Sequence, residues 1–225
     1  MPSGNTVGSL SPTQHAVLVG SLLGDGTLRR QGTRTNALLE VNHAFASKKY
    51  VDWKYKIFQE YVRTPPKHRL GNGKRVAYRF TTRSLPVFTG YYAWFYTKGK
   101  KRVPRNLQLD ALSLAVWFMD DGAKSRSASY LNTQQFAVEE QQFLVRLLEE
   151  SFGIESHLNR DKEYWRLRLT VEGTKILYTL VEPYIHEYFR YKLGHDPVTT
   201  EPKGEALQRA GQHADACRAQ PDYDS

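Results

Sequence analysis

The chain has 225 residues, of which 40% are hydrophobic, 12% aromatic and 24% charged. This composition excludes a wholly disordered chain. Its longest nearly apolar run, residues 16–23, is too short to cross a bilayer, and the N-terminus lacks the pattern of a signal peptide, so we expect no membrane partner and no secretion. The single cysteine, Cys217, excludes an intrachain disulfide and a thiolate metal cluster. It favours a reducing interior, either an organelle (mitochondrion or chloroplast) or a bacterial or archaeal cytoplasm.

The positive charge is concentrated in the first part of the chain. Lys and Arg number 32 and Asp and Glu number 23, giving a net charge of +9, which favours polyanionic partners. From Asp196 onwards there are three basic and six acidic residues, so this segment carries −3 and the preceding part +12. Because residues 195–225 also contain Pro and Gly without a sustained apolar period, we predict that this tail is disordered.

The first half of the chain, residues 1–97, predicts seven elements. Ser11 followed by Pro12 is typical of a helix start, and the almost wholly apolar helix that follows ends at residues 24–26. Alternating polar residues over 27–45 predict two strands, and aromatic residues spaced three and four apart predict a helix over 50–61. A turn signal at residues 71–73 predicts a second pair of strands, and residues 85–96 predict a further helix.

The second half, residues 111–194, repeats this order. Asp110 can cap an apolar helix that ends at residues 120–122. Strands within 123–134, an amphipathic helix ending near Phe152, strands at 154–160 and 164–170, and helices over 171–191 follow. Residues 98–110 between the halves are interpreted as a basic linker. The predicted fold is α+β, with two pseudo-symmetric α-β-β-α-β-β-α halves.

Acidic residues stand where each apolar helix ends. Asp25, Asp120 and Asp121 lie at helix C-termini, where the partial negative charge of the helix disfavours carboxylates. One interpretation is turn chemistry alone, with Gly26 and Gly122 as left-handed C-caps. Because the feature occurs twice at matching places, we favour the other interpretation. If the two helices pack side by side, Asp25 and Asp121 meet and require a divalent cation with oxygen ligands, such as Mg²⁺.

The two helix ends carry a family resemblance. Residues 18–26 read LVGSLLGDG and residues 114–122 read LAVWFMDDG, and both resemble the motif that names the LAGLIDADG homing endonucleases, in their single-chain, two-motif form. The resemblance extends over most of residues 11–193. It implies that the motif helices pack together and that two antiparallel sheets form a DNA-binding saddle. It also implies a monomer that cuts both strands of a long duplex site, leaves short 3′ overhangs and promotes intron mobility.

The resemblance also implies the roles of individual residues. Asp25 and Asp121 would bind the catalytic metal ions, Mg²⁺ with Mn²⁺ as a substitute, helped by the backbone carbonyls of Gly24 and Asp120. The ions would activate a water and stabilise the phosphorane and the leaving oxygen. Family members place a basic residue near each centre, and local matching selects Lys101 and Lys192 as the catalytic residues that polarise water or neutralise transition-state charge. The alternative is that they are ordinary solvated or phosphate-contacting lysines. Gly20 and Gly24 would allow close helix approach, whereas Val116 and Asp120 occupy the matching places; the side chain of Asp120 is either buried or turned to solvent.

The predicted strands separate a polar face from an apolar face. Alternation in residues 75–83 sets Val76, Tyr78 and Phe80 opposite the basic side chains. In residues 165–170 it sets Trp165, Leu167 and Leu169 on the packing face. Such polar side chains can contact base edges and phosphates in a major groove. The predicted DNA contacts are Arg29, Arg30, Gln31, Arg34, Asn36, Glu40, Asn42, Arg75, Arg79, Thr81, Arg83, Lys124, Arg126, Tyr130, Asn132, Gln134, Arg166 and Arg168.

Two other functions remain open. The first is an RNA maturase that binds intron RNA and assists splicing, because the same basic surface can hold structured RNA. The second is a DNA-binding relative that has lost cleavage. The presence of both Asp25 and Asp121 favours the nuclease, since binding to phosphates gives no reason for acidic groups at these places.

Overall fold

The computed structural model describes residues 9–32, 35–70 and 76–194. Several predictions lie outside these residues: the DNA contacts of Arg34 and Arg75, the turn at 71–73 and the tail at 195–225. The described residues belong to one compact unit. None of its described helices is long and apolar enough to span a membrane.

The first half contains the predicted seven elements in the predicted order. They are α1 (Pro12–Leu23), β1 (Thr27–Arg30), β2 (Ala37–Ala44), α2 (Lys48–Phe58), β3 (Lys67–Leu70), β4 (Val76–Thr81) and α3 (Pro86–Phe95). Short 3₁₀ helices flank α2 at Phe45–Ser47 and Gln59–Tyr61. The Ser11 hydroxyl accepts a hydrogen bond from the Gln14 backbone N–H, and the Gln14 side chain accepts one from the Ser11 N–H, so a capping box starts α1.

A short β-ladder follows α3 and occupies the start of the segment interpreted as a linker. It consists of β5 (Tyr96–Thr97) and β6 (Lys100–Lys101), joined by Lys98 and Gly99. Both joining residues have positive φ, 51° and 77°, as a tight two-residue hairpin turn requires. The hairpin gives Lys101 a fixed place in the fold.

The second half repeats the same order. It contains α4 (Ala111–Asp121), β7 (Gly122–Ser125), β8 (Ala128–Leu131), α5 (Val138–Phe152), β9 (Ser156–Asp161), β10 (Tyr164–Leu169) and α6 (Val171–Val181). The rest of the segment predicted as helical over 171–191 forms two 3₁₀ helices, at Glu182–Tyr184 and Glu187–Leu193. Asp110 caps α4 by accepting a hydrogen bond from the Ser113 N–H at 2.7 Å, as the sequence predicted.

The two sheets have identical topology. Their strand orders are β1-β2-β4-β3 and β7-β8-β10-β9, and all paired strands are antiparallel. In the first sheet Glu40 pairs with both Thr27 and Thr81, which sets the register of the three strands. This repetition confirms the predicted α+β fold with two pseudo-symmetric halves.

Helices α1 and α4 form the centre of the molecule. Their side chains from Ala16 to Leu23 and from Leu114 to Met119 are buried. A Cβ atom placed on Gly20 would lie 2.3 Å from the Ser113 carbonyl oxygen, and one on Gly24 would lie 2.5 Å from the Asp120 Cβ. The predicted close approach at Gly20 and Gly24 is therefore confirmed.

The predicted apolar faces are confirmed in the middle of the strands and wrong at their outer ends. Tyr78, Phe80, Leu167 and Leu169 are buried under the helices. Val76 and Trp165, predicted on these faces, are each 36% exposed because they lie near the starts of β4 and β10, beyond the cover of the helices.

Candidate functional site

The ends of α1 and α4 meet at one open cleft. Asp25 follows α1, and Asp121 is the last residue of α4. The cleft is lined by Gly24, Asp25, Thr27, Tyr96, Gly99, Lys101, Asp121, Asn132, Gln134 and Gln135. The structure thus brings together the two aspartates and one of the two lysines selected from the sequence, with contributions from both halves.

Cationic and amide side chains satisfy the carbonyls at the C-terminus of α1. The Lys101 ammonium donates to the carbonyl oxygens of Gly24 at 2.9 Å and Gly26 at 2.8 Å. The Gln135 side chain, from the second half, donates to the Leu23 carbonyl at 3.1 Å. These donors offset the negative end of the helix dipole, so α1 can end beside an acidic residue.

Lys192 has the corresponding place at the end of α4. Its ammonium donates to the carbonyls of Met119 at 2.7 Å and Phe118 at 3.2 Å. Lys192 is buried and, unlike Lys101, is not among the described residues that line the cleft. Burial lowers the pKa of both lysines to about 8, and the nearby aspartates limit the change. The Lys101 ammonium therefore faces the cleft, whereas the Lys192 ammonium binds the backbone carbonyls at the end of α4.

The two cleft aspartates are held in an environment that disfavours their charge. Burial, followed by the charges of Asp25 and Asp120, raises the pKa of Asp121 to about 7. The side chain of Asp25 is 48% exposed, yet its partial burial and the charge of Asp120 also raise its pKa. Close carboxylates with raised pKa values are typical of catalytic or metal-binding sites.

The side chain of Asp120 is buried, which is one of the two possibilities that the sequence allows. Both of its carboxylate oxygens accept hydrogen bonds from the Lys54 ammonium at 2.9 Å, and one also accepts from the Tyr50 hydroxyl at 2.8 Å. The side chains of Lys54 and Asp120 are both fully buried. Neither partner was selected from the sequence as a site residue, although Lys54 stands four residues after Tyr50, on the face of α2 that the aromatic spacing assigns to the core.

His43 of β2 lies between two of the carboxylates. Its Nδ1 is 3.4 Å from an Asp25 oxygen and its Nε2 is 3.9 Å from an Asp120 oxygen. Burial and the charge of Lys54 lower the pKa of His43 to about 4, so the ring is neutral at pH 7. The sequence analysis did not select this residue.

The glycines after the aspartates are not left-handed caps, so the interpretation as turn chemistry alone is wrong. Gly122 has φ −72° and ψ 142°, and Gly26 is not among the described glycines with positive φ. A Cβ on Gly26 would lie 2.8 Å from the Ser21 carbonyl oxygen, and one on Gly122 would lie 2.2 Å from the Phe118 ring. Both glycines permit a close chain approach that brings the following strand directly under the helix end.

The donor set of the cleft fits a hard divalent cation. Within the described ranges no group of three His, Cys, Asp or Glu side chains is arranged to hold a metal ion. Two carboxylates with raised pKa values, Asp25 and Asp121, face the cleft together with the backbone of Gly24. Few protein oxygens and an open cleft suit Mg²⁺, which keeps several of its waters. A bound cation would also relieve the repulsion between the carboxylates.

The first sheet presents a polar face that is continuous with the cleft. Arg29, Glu40, Asn42, Arg79 and Thr81 lie on it by alternation and register. Glu40 forms ion pairs with Arg29 and, at 3.6 Å, with Arg79. Lys67 and Arg69 of β3 lie on the same face beside Arg79 and Ala77 and are exposed. The sequence analysis missed these two, although the alternation in residues 67–70 could have indicated them.

The second sheet presents a matching polar face. The Arg166 guanidinium lies 4.2 Å above the Tyr130 ring, and that of Arg168 lies 6.0 Å from it. Asn132 accepts a hydrogen bond from Arg166 at 3.3 Å and donates to the Asp121 carbonyl oxygen at 2.9 Å. Asn132 therefore connects this face to the cleft.

Two predicted contacts lie on the opposite side of their strands. Arg30 points to the helix-covered side, where its guanidinium lies 5.0 Å from the Tyr92 ring centre of α3. Lys124 pairs with buried Ser129, and its ammonium lies near Gly194. Successive residues of a strand point to opposite faces, so the prediction that set these two on the polar face beside their chain neighbours is wrong.

The remaining predicted contacts lie at strand ends and turns. The Asn36 side chain accepts a hydrogen bond from the Thr89 hydroxyl at 3.1 Å. The Arg83 guanidinium donates to the Glu60 carbonyl oxygen at 3.1 Å. The Gln134 side chain donates to the Asp161 carboxylate at 3.2 Å. Gln31 is exposed after β1, and Arg126 is exposed in the β7–β8 turn with φ 49°.

Comparison with known proteins agrees with the fold. The chain is 31% identical over 202 residues to a probable intron-encoded endonuclease 1 of Wickerhamomyces canadensis, covering 82% of this chain and 85% of the relative. It is 29% identical over 209 residues to the cytochrome b mRNA maturase bI2 of Saccharomyces cerevisiae, covering 85% of this chain and 49%, about half, of that relative.

Solved structures show the same architecture. The homing endonuclease I-WcaI bound to its DNA recognition sequence superposes with a TM-score of 0.77 at 28% identity, over 82% of this chain and 87% of that chain. The family model described as the LAGLIDADG DNA endonuclease family matches residues 15–177. This chain belongs to the LAGLIDADG DNA endonuclease family.

Proposed function

We propose that this protein is a monomeric, site-specific homing endonuclease that hydrolyses both strands of a long duplex site, leaves short 3′ overhangs and promotes intron mobility. The observation that carries the proposal is the placement of Asp25 and Asp121 in one cleft between two polar sheet faces. One chain supplies both aspartates and both faces, so no second copy is needed. The relative I-WcaI, which was solved with its DNA recognition sequence, supports duplex DNA as the substrate.

The two sheet faces would form a saddle over the duplex. Arg79, Lys67 and Arg69 of the first sheet, and Arg166 and Arg168 of the second, are placed to neutralise phosphates and contact base edges. Tyr130 stacks under Arg166 and fixes its direction. Binding across both sheets would set the scissile phosphates of the two strands over the cleft.

Asp25 and Asp121 would hold Mg²⁺, or Mn²⁺ as its substitute, with help from the backbone carbonyls of Gly24 and Asp120. The metal, when bound, supplies charge stabilisation at the scissile phosphate and activation of water. Lys101, fixed by the Gly24 and Gly26 carbonyls, brings positive charge to the cleft and would stabilise the transition state. Lys192 would keep the end of α4, and so Asp121, in place.

A maturase that binds intron RNA is the second candidate function. It is favoured by the similarity to the bI2 maturase of Saccharomyces cerevisiae. Both functions would use basic surfaces, and the cleft aspartates distinguish them, because RNA binding gives no reason to bring two carboxylates together.

Selection from a library of random duplexes tests the proposal. The purified full chain is incubated with the library and Mg²⁺, and cut molecules are sequenced at both ends. We expect enrichment of one long site with short 3′ overhangs, no cutting in EDTA and none by the Asp25→Asn/Asp121→Asn double variant. Tight binding to a self-splicing intron RNA without cleavage of any duplex would replace this function with the maturase.

A further inference from the structure

Asp120 has a structural link to each of the two aspartates of the cleft. It precedes Asp121 directly in α4. On its other side, His43 separates it from Asp25, with ring nitrogens 3.9 Å from Asp120 and 3.4 Å from Asp25. Asp120 is thus connected to one aspartate through the chain and to the other through the His43 ring.

The groups that hold Asp120 come from the other half of the protein. Lys54 and Tyr50 lie on α2, whereas Asp120 lies on α4. Lys54 bonds both carboxylate oxygens, and Tyr50 bonds one of them. The Lys54 ammonium also lies 4.5 Å from the Tyr50 ring centre, which keeps the two side chains together. The side chain of Asp120 is therefore held by hydrogen bonds to α2 and is not available to a metal ion.

This arrangement has no counterpart in the first motif. The place that matches Asp120 is Gly24, which has no side chain and packs directly against the Asp120 Cβ. The second motif alone is therefore tied by its side chain to α2 of the opposite half. A buried ion pair adds little net stability compared with a well-packed apolar group. The Lys54–Asp120 pair therefore contributes mainly by fixing the position of α4 relative to α2.

We propose that Asp120 is a positioning residue, held by Lys54 and Tyr50, that sets the geometry of Asp25 and Asp121 relative to each other. The proposal rests on the proposed endonuclease function. Asp120 acts on Asp121 by fixing the last turn of α4 against α2, and on Asp25 by limiting where His43 can lie. The ion pair thus joins the two halves at the level of the cleft.

A cycle of near-isosteric variants separates positioning from stability. Lys54→Met and Asp120→Leu each leave a buried charge unpaired, so we expect each to lower the melting temperature by roughly 10 °C. The triple variant Tyr50→Phe/Lys54→Met/Asp120→Leu removes the whole polar group while keeping its volume, and it should recover to within about 3 °C of the wild type. If neither single variant lowers the melting temperature, the ion pair does not exist as described and the proposal is overturned.

Cleavage by the triple variant then tests positioning, with all proteins assayed well below their melting temperatures. On the duplex selected above, we expect a single-turnover rate at least about tenfold below wild type, while duplex affinity in Ca²⁺ stays within about twofold. Mn²⁺ binding to the protein–duplex complex, measured by electron paramagnetic resonance, should weaken as well. Wild-type cleavage and Mn²⁺ binding by a stable triple variant would overturn the proposal. Absence of duplex cleavage by the wild type would instead overturn the endonuclease function, and the stability cycle would still report on the ion pair.

Discussion

Gly20 of α1 packs directly on the backbone of Ser113 in α4, and a Cβ on Gly20 would lie 2.3 Å from the Ser113 carbonyl oxygen. The colliding atom belongs to a helix backbone, which cannot move aside as the end of a flexible side chain can. The same two helices carry Asp25 and Asp121 at their ends. The spacing of the helices therefore sets the spacing of the aspartates.

The Gly20→Ala variant should be strongly destabilised. The extra methyl must separate α1 from α4, which we expect to cost roughly 2–3 kcal/mol in the free energy of unfolding. Gly90 in α3 is a matched control because a Cβ there meets nothing within 4 Å. Gly90→Ala should be neutral or stabilising by up to about 1 kcal/mol. Urea unfolding measures both, and equal stability of the two variants would contradict the described helix spacing.

Lys101→Met should impair cleavage much more than it impairs folding. Removing the ammonium takes positive charge from the cleft and leaves the Gly24 and Gly26 carbonyls without their donor. We expect the single-turnover rate to fall by about 10²-fold. Lys100, its exposed neighbour on β6, provides the control, and Lys100→Met should stay close to the wild-type rate. Similar losses in the two variants would show that Lys101 has no special role.

Asp121→Asn should raise stability at neutral pH although it abolishes the proposed activity. The pKa of Asp121 is about 7 in the fold against a reference value of 3.8, so the folded state favours the protonated carboxyl. Its contribution to stability is present at low pH and is lost as pH rises from about 4 to about 7. The variant should therefore melt above the wild type at pH 8 and close to it at pH 4. A variant that melts below the wild type at pH 8 would contradict the raised pKa of Asp121, which burial and the neighbouring carboxylates produce.

Bound divalent metal should stabilise the wild type and not a variant that lacks the cleft carboxylates, the reverse of the difference expected without metal. If Asp25 and Asp121 hold the ion in the protein–duplex complex, saturating Ca²⁺ should raise the melting temperature of the wild-type complex. The Asp25→Asn/Asp121→Asn complex should show no such increase. Differential scanning fluorimetry of both complexes, with and without EDTA, makes the comparison, and equal increases would place the metal elsewhere.

Lys67 and Arg69 should contribute to duplex binding through charge. Both are exposed on the polar face of the first sheet. Alanine at either place should reduce the slope of log affinity against log salt by about one, with similar effects on all sequences. Lys175 on α6, which pairs with Glu172 at 3.1 Å, is a suitable control, and its alanine variant should bind as the wild type does. Fluorescence anisotropy across a salt series measures the slopes, and an unchanged slope for Lys67→Ala would remove β3 from the binding surface.

Local patterns were sufficient to predict the elements and their order, whereas the packing of the two motif helices was implied by the family resemblance. Each helix start and each strand can be predicted from a few neighbouring residues, as at the capping residues Ser11 and Asp110. The repetition of that order in the second half then indicated pseudo-symmetry. Because Gly20 and Gly24 have no side chains at helical spacing, the close approach of α1 to α4 was also visible.

Long-range contacts could not be predicted in the same way. Lys54 and Asp120 are 66 residues apart, so helical spacing can place Lys54 on the buried face of α2 but cannot identify its partner. His43 likewise approaches Asp25 and Asp120 only after β2 has paired with β4. The errors at Arg30 and Lys124 have a different cause, since they came from grouping residues by proximity where strand alternation separates them.

The most direct test is single-turnover cleavage of the selected duplex with both strands labelled. With Mg²⁺ we predict that the wild type cuts both strands, leaving short 3′ overhangs, and that the Asp25→Asn/Asp121→Asn variant binds the same duplex but cuts neither strand. Cleavage by that double variant at the wild-type rate, or wild-type cleavage that persists in EDTA, would contradict the assignment of the cleft as a metal-dependent active site.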